Sequence, residues 1–134
     1  MTNLLLYNIG KDKLPKIQFI LLKLGLRARQ VSPAEYAQPI GYLAGIEGFA
    51  PNREAPEAPF SGEMLVMAGL SSQQFSALLN ALRQNRCTVA LKAVLTETNA
   101  AWSSARLHRE LSAEHEALQK VKPGDAEKKS AHHK

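Results

Sequence analysis

Apolar residues along this chain fall into short unbroken runs and longer runs spaced three or four residues apart, and the two kinds alternate. NLLLYNI (residues 3–9) is unbroken and gives way to Gly10 and Lys11, which predicts a strand near 4–9 followed by a turn. Leu14, Ile17, Leu21 and Leu24 then recur at helical spacing until Gly25, a residue suited to the left-handed turn that ends a helix. LRARQV (26–31) predicts a second strand near 27–31. After it, Ser32, Pro33 and Glu35 stand as N-cap, first helical residue and capping-box partner of a short helix. Pro39 and Gly41 are expected to break that helix.

EGFAPNREAPEAPFSGE (47–63) holds three prolines and no period, which predicts a loop. The pattern then restarts. EMLVMAG predicts a strand near 64–68, and SSQQFSALLNALRQN (71–85) opens with Ser71 and Gln74 as a capping box and sets Phe75, Leu78, Leu79 and Leu82 on one stripe. CTVALKAVL predicts a strand near 88–95, and a last helix is expected from about 98 to 120. The halves repeat each other faintly: 4–9 aligns with 65–70, and Ile17, Ile20 and Leu21 align with Leu78, Ala81 and Leu82 at one constant offset. Two strand-helix-strand-helix halves favour an α/β fold: a four-stranded, largely parallel sheet in the order 2-1-3-4, with helices on both faces and the first and third strands central. A ferredoxin-like α+β arrangement with antiparallel pairs is the alternative, and the pairing of the first and third strands decides between them.

Length and charge refine this picture. The 134 residues fit one domain over 1–120, with 121–134 expected as a polar, disordered tail. The lone Cys87 lacks the spacing of a zinc site or a redox pair, and the leucine run of MTNLLLYNIGKDK is too short for a signal-peptide core, so a soluble cytoplasmic protein is expected. The net charge of +5 is uneven. Residues 1–31 carry Lys11, Lys13, Lys16, Lys23, Arg27 and Arg29 against Asp12, whereas 32–62 carry Glu35, Glu47, Glu54 and Glu57 against Arg53. Such asymmetry either steers an acidic partner or is an ordinary solvated surface.

EMLVMAGLSSQQFSALLNAL followed by VALKAVLTETNAAWS resembles the core of a small bacterial family known as domain of unknown function 3783. The Met-Leu-Val strand, the LLxAL-type helix, the Leu-Lys-Ala-Val-Leu-Thr strand and the Thr-Asn with a nearby Trp carry the likeness, over roughly residues 63–115. The upstream VSPAEYAQPIGYLAG is also similar to what precedes that core. The resemblance implies a cytoplasmic bacterial protein and carries over no reaction.

The chemistry on offer is sparse. His108 and His115 lie seven apart on the last helix, without the further ligands a metal needs, and His132 and His133 fall in the tail; no metal or cofactor is expected. G-x-G-x-x-G and the Walker lysine motif are absent, and the basic residues lack the aromatic platforms and signatures of a nucleic-acid binder, so nucleic acid is not an expected partner. Thr96 to Asn99 have two readings, as caps of the last helix or as part of a binding site. In an open parallel sheet, ligands bind where the strands' carboxyl ends meet, which would bring Asn8, Gly10, Lys11, Gly69, Ser71, Thr96 and Asn99 into one crevice for a small anionic ligand. With no catalytic group convincingly placed, a non-enzymatic regulatory or protein-interaction module is expected, and the ligand-binding domain, an enzyme included, is the alternative. The first helix, with Phe19 and Leu22 off its main stripe, and the last, with Leu107, Leu111 and Leu118 on one stripe and Trp102, Ala105 and Ala113 nearly opposite, each carry apolar surface for a second copy or a partner protein. No membrane association is expected.

Overall fold

A computed structural model describes residues 2–51 and 59–120, with the side chains of 118–120 excepted. The expected tail at 121–134, the middle of the 47–63 loop and the Leu118 side chain lie outside the described residues. Strands β1 (Leu4–Tyr7), β2 (Ala28–Gln30), β3 (Met64–Met67) and β4 (Leu91–Val94) alternate with helices α1 (Leu14–Leu24), α2 (Ile40–Leu43), α3 (Ser72–Gln84) and α4 (Ser104–Lys120). Short 3-10 turns, Pro33–Glu35 and Asn99–Ala101, precede α2 and α4. The expected signals act where they stand: Gly25 ends α1 at φ 69°, and Ser71 and Gln74 close a capping box at the start of α3. Asn8, at φ 55°, ends β1 earlier than the apolar run would.

Two boundaries differ for physical reasons. Pro39 begins α2 rather than only ending the turn before it, and Gly41 lies inside that helix. A Cβ on Gly41 would come within 2.7 Å of the Phe49 ring, so the glycine serves a close packing contact there. The last helix is interrupted at Trp102, which is extended, because the other half pairs with it: Ile40 N–H donates to Trp102 O at 2.9 Å and Pro39 bridges Ser103.

The sheet has four strands in the order β2-β1-β3-β4, and both central strands are buried throughout. The expectation of a largely parallel sheet is overturned at its centre. β1 pairs with β2 in parallel and β3 with β4 in parallel, but β1 and β3 run antiparallel, so the sheet is mixed. It is not the ferredoxin-like alternative either, whose antiparallel pairing holds only for this central pair. Each crossover helix fixes a parallel pair within its own half. Among the described residues no long crossover helix joins β2 to β3, and the two most apolar strands meet edge to edge.

This pairing relates the halves by an approximate two-fold axis. The offset that aligns Leu4 with Leu65 aligns Leu5 with Val66, and those two residues face each other across the central pair. Crossovers of one hand in halves that run in opposite directions put both crossover helices on the same face. Accordingly α1 and α3 share a core with Leu4, Leu6, Leu65 and Met67, while α2, α4 and the turns cover the other face around Leu5, Tyr7, Met64 and Val66.

Candidate functional site

The antiparallel centre divides the expected crevice in two. The carboxyl ends of β1 and β2 lie at one edge of the sheet and those of β3 and β4 at the opposite edge. Asn8, Gly10 and Lys11 therefore sit together at the first edge, Gly69, Ser71, Thr96 and Asn99 at the second, and the seven do not line one site.

At the first edge the turn from β1 to α1 holds an anion, and that anion belongs to the protein. Glu63, just before β3, accepts from Gly10 N–H at 2.8 Å and from Lys13 Nζ at 2.7 Å, and Lys13 also donates to Thr88 O at 3.0 Å. Burial pushes the Glu63 carboxyl up, but the hydrogen bonds from Lys13 and Gly10 outweigh it and hold the group below its ordinary value. Lys11, exposed, takes no part in this arrangement. Asn8 uses its amide to donate to Phe60 O at 2.8 Å and Gly62 O at 3.1 Å, while its Oδ1 accepts from Tyr36 OH at 3.3 Å. It ties β1 to the entry of β3.

Beside this turn, Phe60 is sandwiched between two rings, with Tyr36 stacked at 4.3 Å and His108 at 3.9 Å. His108 lines a groove of about 420 Å³ with Glu63, Leu91, Ser112, His115 and Glu116. Its Nδ1 lies 3.4 Å from Ser112 Oγ, and its Nε2 packs so closely on Gly62 that a Cβ there would come within 3.2 Å. Burial pushes the His108 imidazole below its ordinary value, which favours the neutral ring. His108 and His115 thus share a face, as their spacing predicts, but among the described residues no group of three or more His, Cys, Asp or Glu side chains is placed to hold a metal ion. Beneath the stack Tyr7 OH and Ser104 Oγ meet at 2.7 Å, both residues fully buried.

At the second edge the hydroxyls and the amide act as caps. Thr96 Oγ1 accepts from Asn99 N–H at 3.1 Å, Asn99 Oδ1 accepts from Thr96 N–H at 2.8 Å, and Asn99 Nδ2 donates to Val94 O at 3.1 Å. This is a reciprocal box in which Asn99 stands where Glu or Gln usually does. Ser71 Oγ accepts from Gln74 N–H at 3.1 Å. Gly69 and Ser71, with Met67, Phe75 and Val94, line a shallow groove of about 380 Å³, and neither Thr96 nor Asn99 reaches it.

The outer surface of α1 and α3 differs from both edges. Phe19 and Leu22 are 61% and 76% exposed. Lys16 and Lys23 flank them, with Lys23 Nζ 5.5 Å from the Phe19 ring centre. Glu63, Lys13, Phe60 and His108 escape sequence reasoning because each contact joins residues far apart in the chain, and that of Glu63 with Lys13 depends on the antiparallel centre. The only signal for them is a carboxylate standing immediately before an apolar strand.

No helix among the described residues is long and apolar enough to cross a membrane. No curated protein and no solved structure matches the chain. From the carboxylate that fills the first turn to the last turn of α4, residues 63–118, the chain matches the model of a family described as Domain of unknown function (DUF3783), the family its strand, helix and Thr-Asn motifs resemble.

Proposed function

We propose that this chain is a small cytoplasmic protein-interaction module, regulatory rather than enzymatic, which presents the outer face of α1 and α3 to its partner. The observation that carries the reading is the exposure of Phe19 and Leu22 side by side on one helix. Burying each in an interface would gain on the order of 1.5–3 kcal/mol, a gain the fold leaves untaken. Further support comes from the two strand-end edges, where Asn8, Gly10, Thr96 and Asn99 already have partners inside the chain. The test is photocrosslinking in cells, with the crosslinking amino acid at position 22 on α1 or, as control, at position 110 on α4. Discrete heavier adducts from position 22 and not from 110 are expected. The same pattern from both positions, or none from position 22, refutes the reading.

A second reading has one specific observation in its favour: the groove at the end of β3 brings Gly69, Ser71 and Ser72 beside Phe75 and Val94. It would suit a small anionic ligand with an apolar part. Thermal shift against nucleotides, phosphosugars and acidic metabolites tests it, and a stabilisation that Ser71→Ala abolishes would establish it over the first.

A further inference from the structure

We infer that the partner of the α1 and α3 face is an acidic amphipathic helix of another protein, with two apolar side chains at helical spacing between carboxylates. The inference rests on the interaction-module reading and names the chemistry of its partner. Its first ground is charge. The layer formed by α1 and α3 contains no acidic residue, and none occurs anywhere between Glu63 and Glu97. Lys16 and Lys23 on α1, and Arg83 and Arg86 at the end of α3, are all exposed. The two salt bridges among the described residues, Lys13 with Glu63 and Arg29 with Glu35, use none of them. Asp12 is exposed in the turn that enters α1, Glu63 and Glu35 are held in those two salt bridges, and Glu110, Glu114 and Glu116 belong to α4, which covers the opposite face. The face is therefore predominantly cationic around an apolar centre, a field that favours an anionic partner and selects against a cationic one.

The second ground is shape. Next to the protruding Phe19 and Leu22 runs a groove of about 250 Å³ between α1 and α3, bounded by Phe19, Lys23 and Leu24 on one side and Ala81, Gln84 and Asn85 on the other. A lipid surface engages protruding side chains and leaves a cleft unfilled. A folded partner fills a cleft with a side chain, and a helix that lays one apolar residue in the groove brings a second, three or four positions on, against Leu22. Lys16 and Lys23, seven apart along α1 and so on one flank of it, before and after Phe19 and Leu22 along the helix, then meet carboxylates flanking the apolar pair. A second copy of this chain does not suit the face: a symmetric pairing of α1 with α1 would set Lys16 and Lys23 against themselves.

The experiment selects a partner helix from a display library of randomised peptides panned on the full chain, and then measures the selected peptide by fluorescence anisotropy. The expected consensus has acidic residues around two apolar positions at i and i+3 or i+4. Its affinity should fall by about tenfold or more in Leu22→Asp and in Phe19→Asp, both surface changes that leave the core intact. The double variant Lys16→Glu, Lys23→Glu should select basic peptides in place of acidic ones. A consensus without acidic residues that still depends on Leu22 overturns the partner class and leaves the interaction module standing. Selected peptides indifferent to Phe19 and Leu22, or a face bound by phosphatidylserine vesicles or a short oligonucleotide while selecting no peptide, overturns both.

Discussion

The turn from β1 to α1 and the turn from β3 to α3 occupy equivalent places in the two halves and face the same problem, the unpaired N–H groups at the start of a helix. They solve it differently. In the second turn Ser71 and Gln74 cap each other's backbone within four residues of sequence. In the first, Lys13 gives α1 no side-chain cap, and the turn is instead closed by Glu63 from the other half, which binds Gly10 N–H and the Lys13 ammonium. The first solution is tertiary as well as local. It fastens the halves together at the edge where the antiparallel centre brings the end of β1 beside the start of β3. The two halves therefore differ at equivalent turns: one turn serves its own helix and the other serves the contact between the halves.

By that contrast, removing the carboxylate should cost more than removing the hydroxyl. Glu63→Ala leaves the Gly10 N–H and much of the Lys13 charge without a partner in a half-buried place, a loss of about 2 kcal/mol or more. Ser71→Ala loses one capping bond, about 1 kcal/mol. Urea denaturation of the two variants under one condition makes the comparison, and equal costs would deny that Glu63 joins the halves. Acid should act on the first turn alone. The Glu63 carboxyl is held below its ordinary value of 4.5, so its contribution is complete above that pH and is lost as pH falls through the lower, folded value. The stability gap between the chain and Glu63→Gln, followed by denaturation from neutral pH downward, should be constant at first and close below pH 4.5. A gap that stays open would mean that the charge contributes nothing.

How much of this was legible follows the same division. The Ser71 and Gln74 box, the Gly25 stop, the α1 boundaries and the strand order could all be read because each is written within one turn of a helix or in the relative apolarity of the strands. The direction of β3 against β1 could not. A fully buried four-residue strand such as LLLY or MLVM carries no alternation, and it looks alike in a parallel or an antiparallel pair. That one ambiguity moved Gly69, Ser71, Thr96 and Asn99 to the far edge from Asn8, Gly10 and Lys11. It also concealed the meeting of Glu63 with Lys13, which joins residues fifty positions apart across the central pair.

A smaller effect is expected at Asn99, which extends the comparison to the turn after β4. Its side chain serves only residues 94 and 96 nearby, so Asn99→Ala should behave like Ser71 rather than like Glu63, with a cost of about 1–2 kcal/mol for the stranded Val94 carbonyl and Thr96 N–H. Hydrogen exchange should localise the damage. Faster exchange confined to the turn over Asn99–Ala101 and the first turn of α4 is the expected result, whereas loosening across β1 and β3 would make Asn99 a second fastening between the halves.

The smallest effect should come from the residues most tied to function in our reading. Phe19 and Leu22 point away from the core formed by Ile17, Ile20 and Leu21, so replacing either with serine removes little that folding buried. Phe19→Ser and Leu22→Ser should each change stability by less than about 0.5 kcal/mol, as surface substitutions do. Folding therefore gives no reason for large apolar side chains at these two positions, in contrast to Glu63, whose removal the fold should feel at once. Light scattering adds the complementary measurement. Because Lys16 and Lys23 would repel their own copies across a symmetric α1 contact, the chain should scatter as a monomer at micromolar concentration, and Leu22→Asp should leave that unchanged. A dimer that Leu22→Asp dissociates would give the exposed pair to a second copy of this chain, and the acidic partner would then have to be sought on another surface.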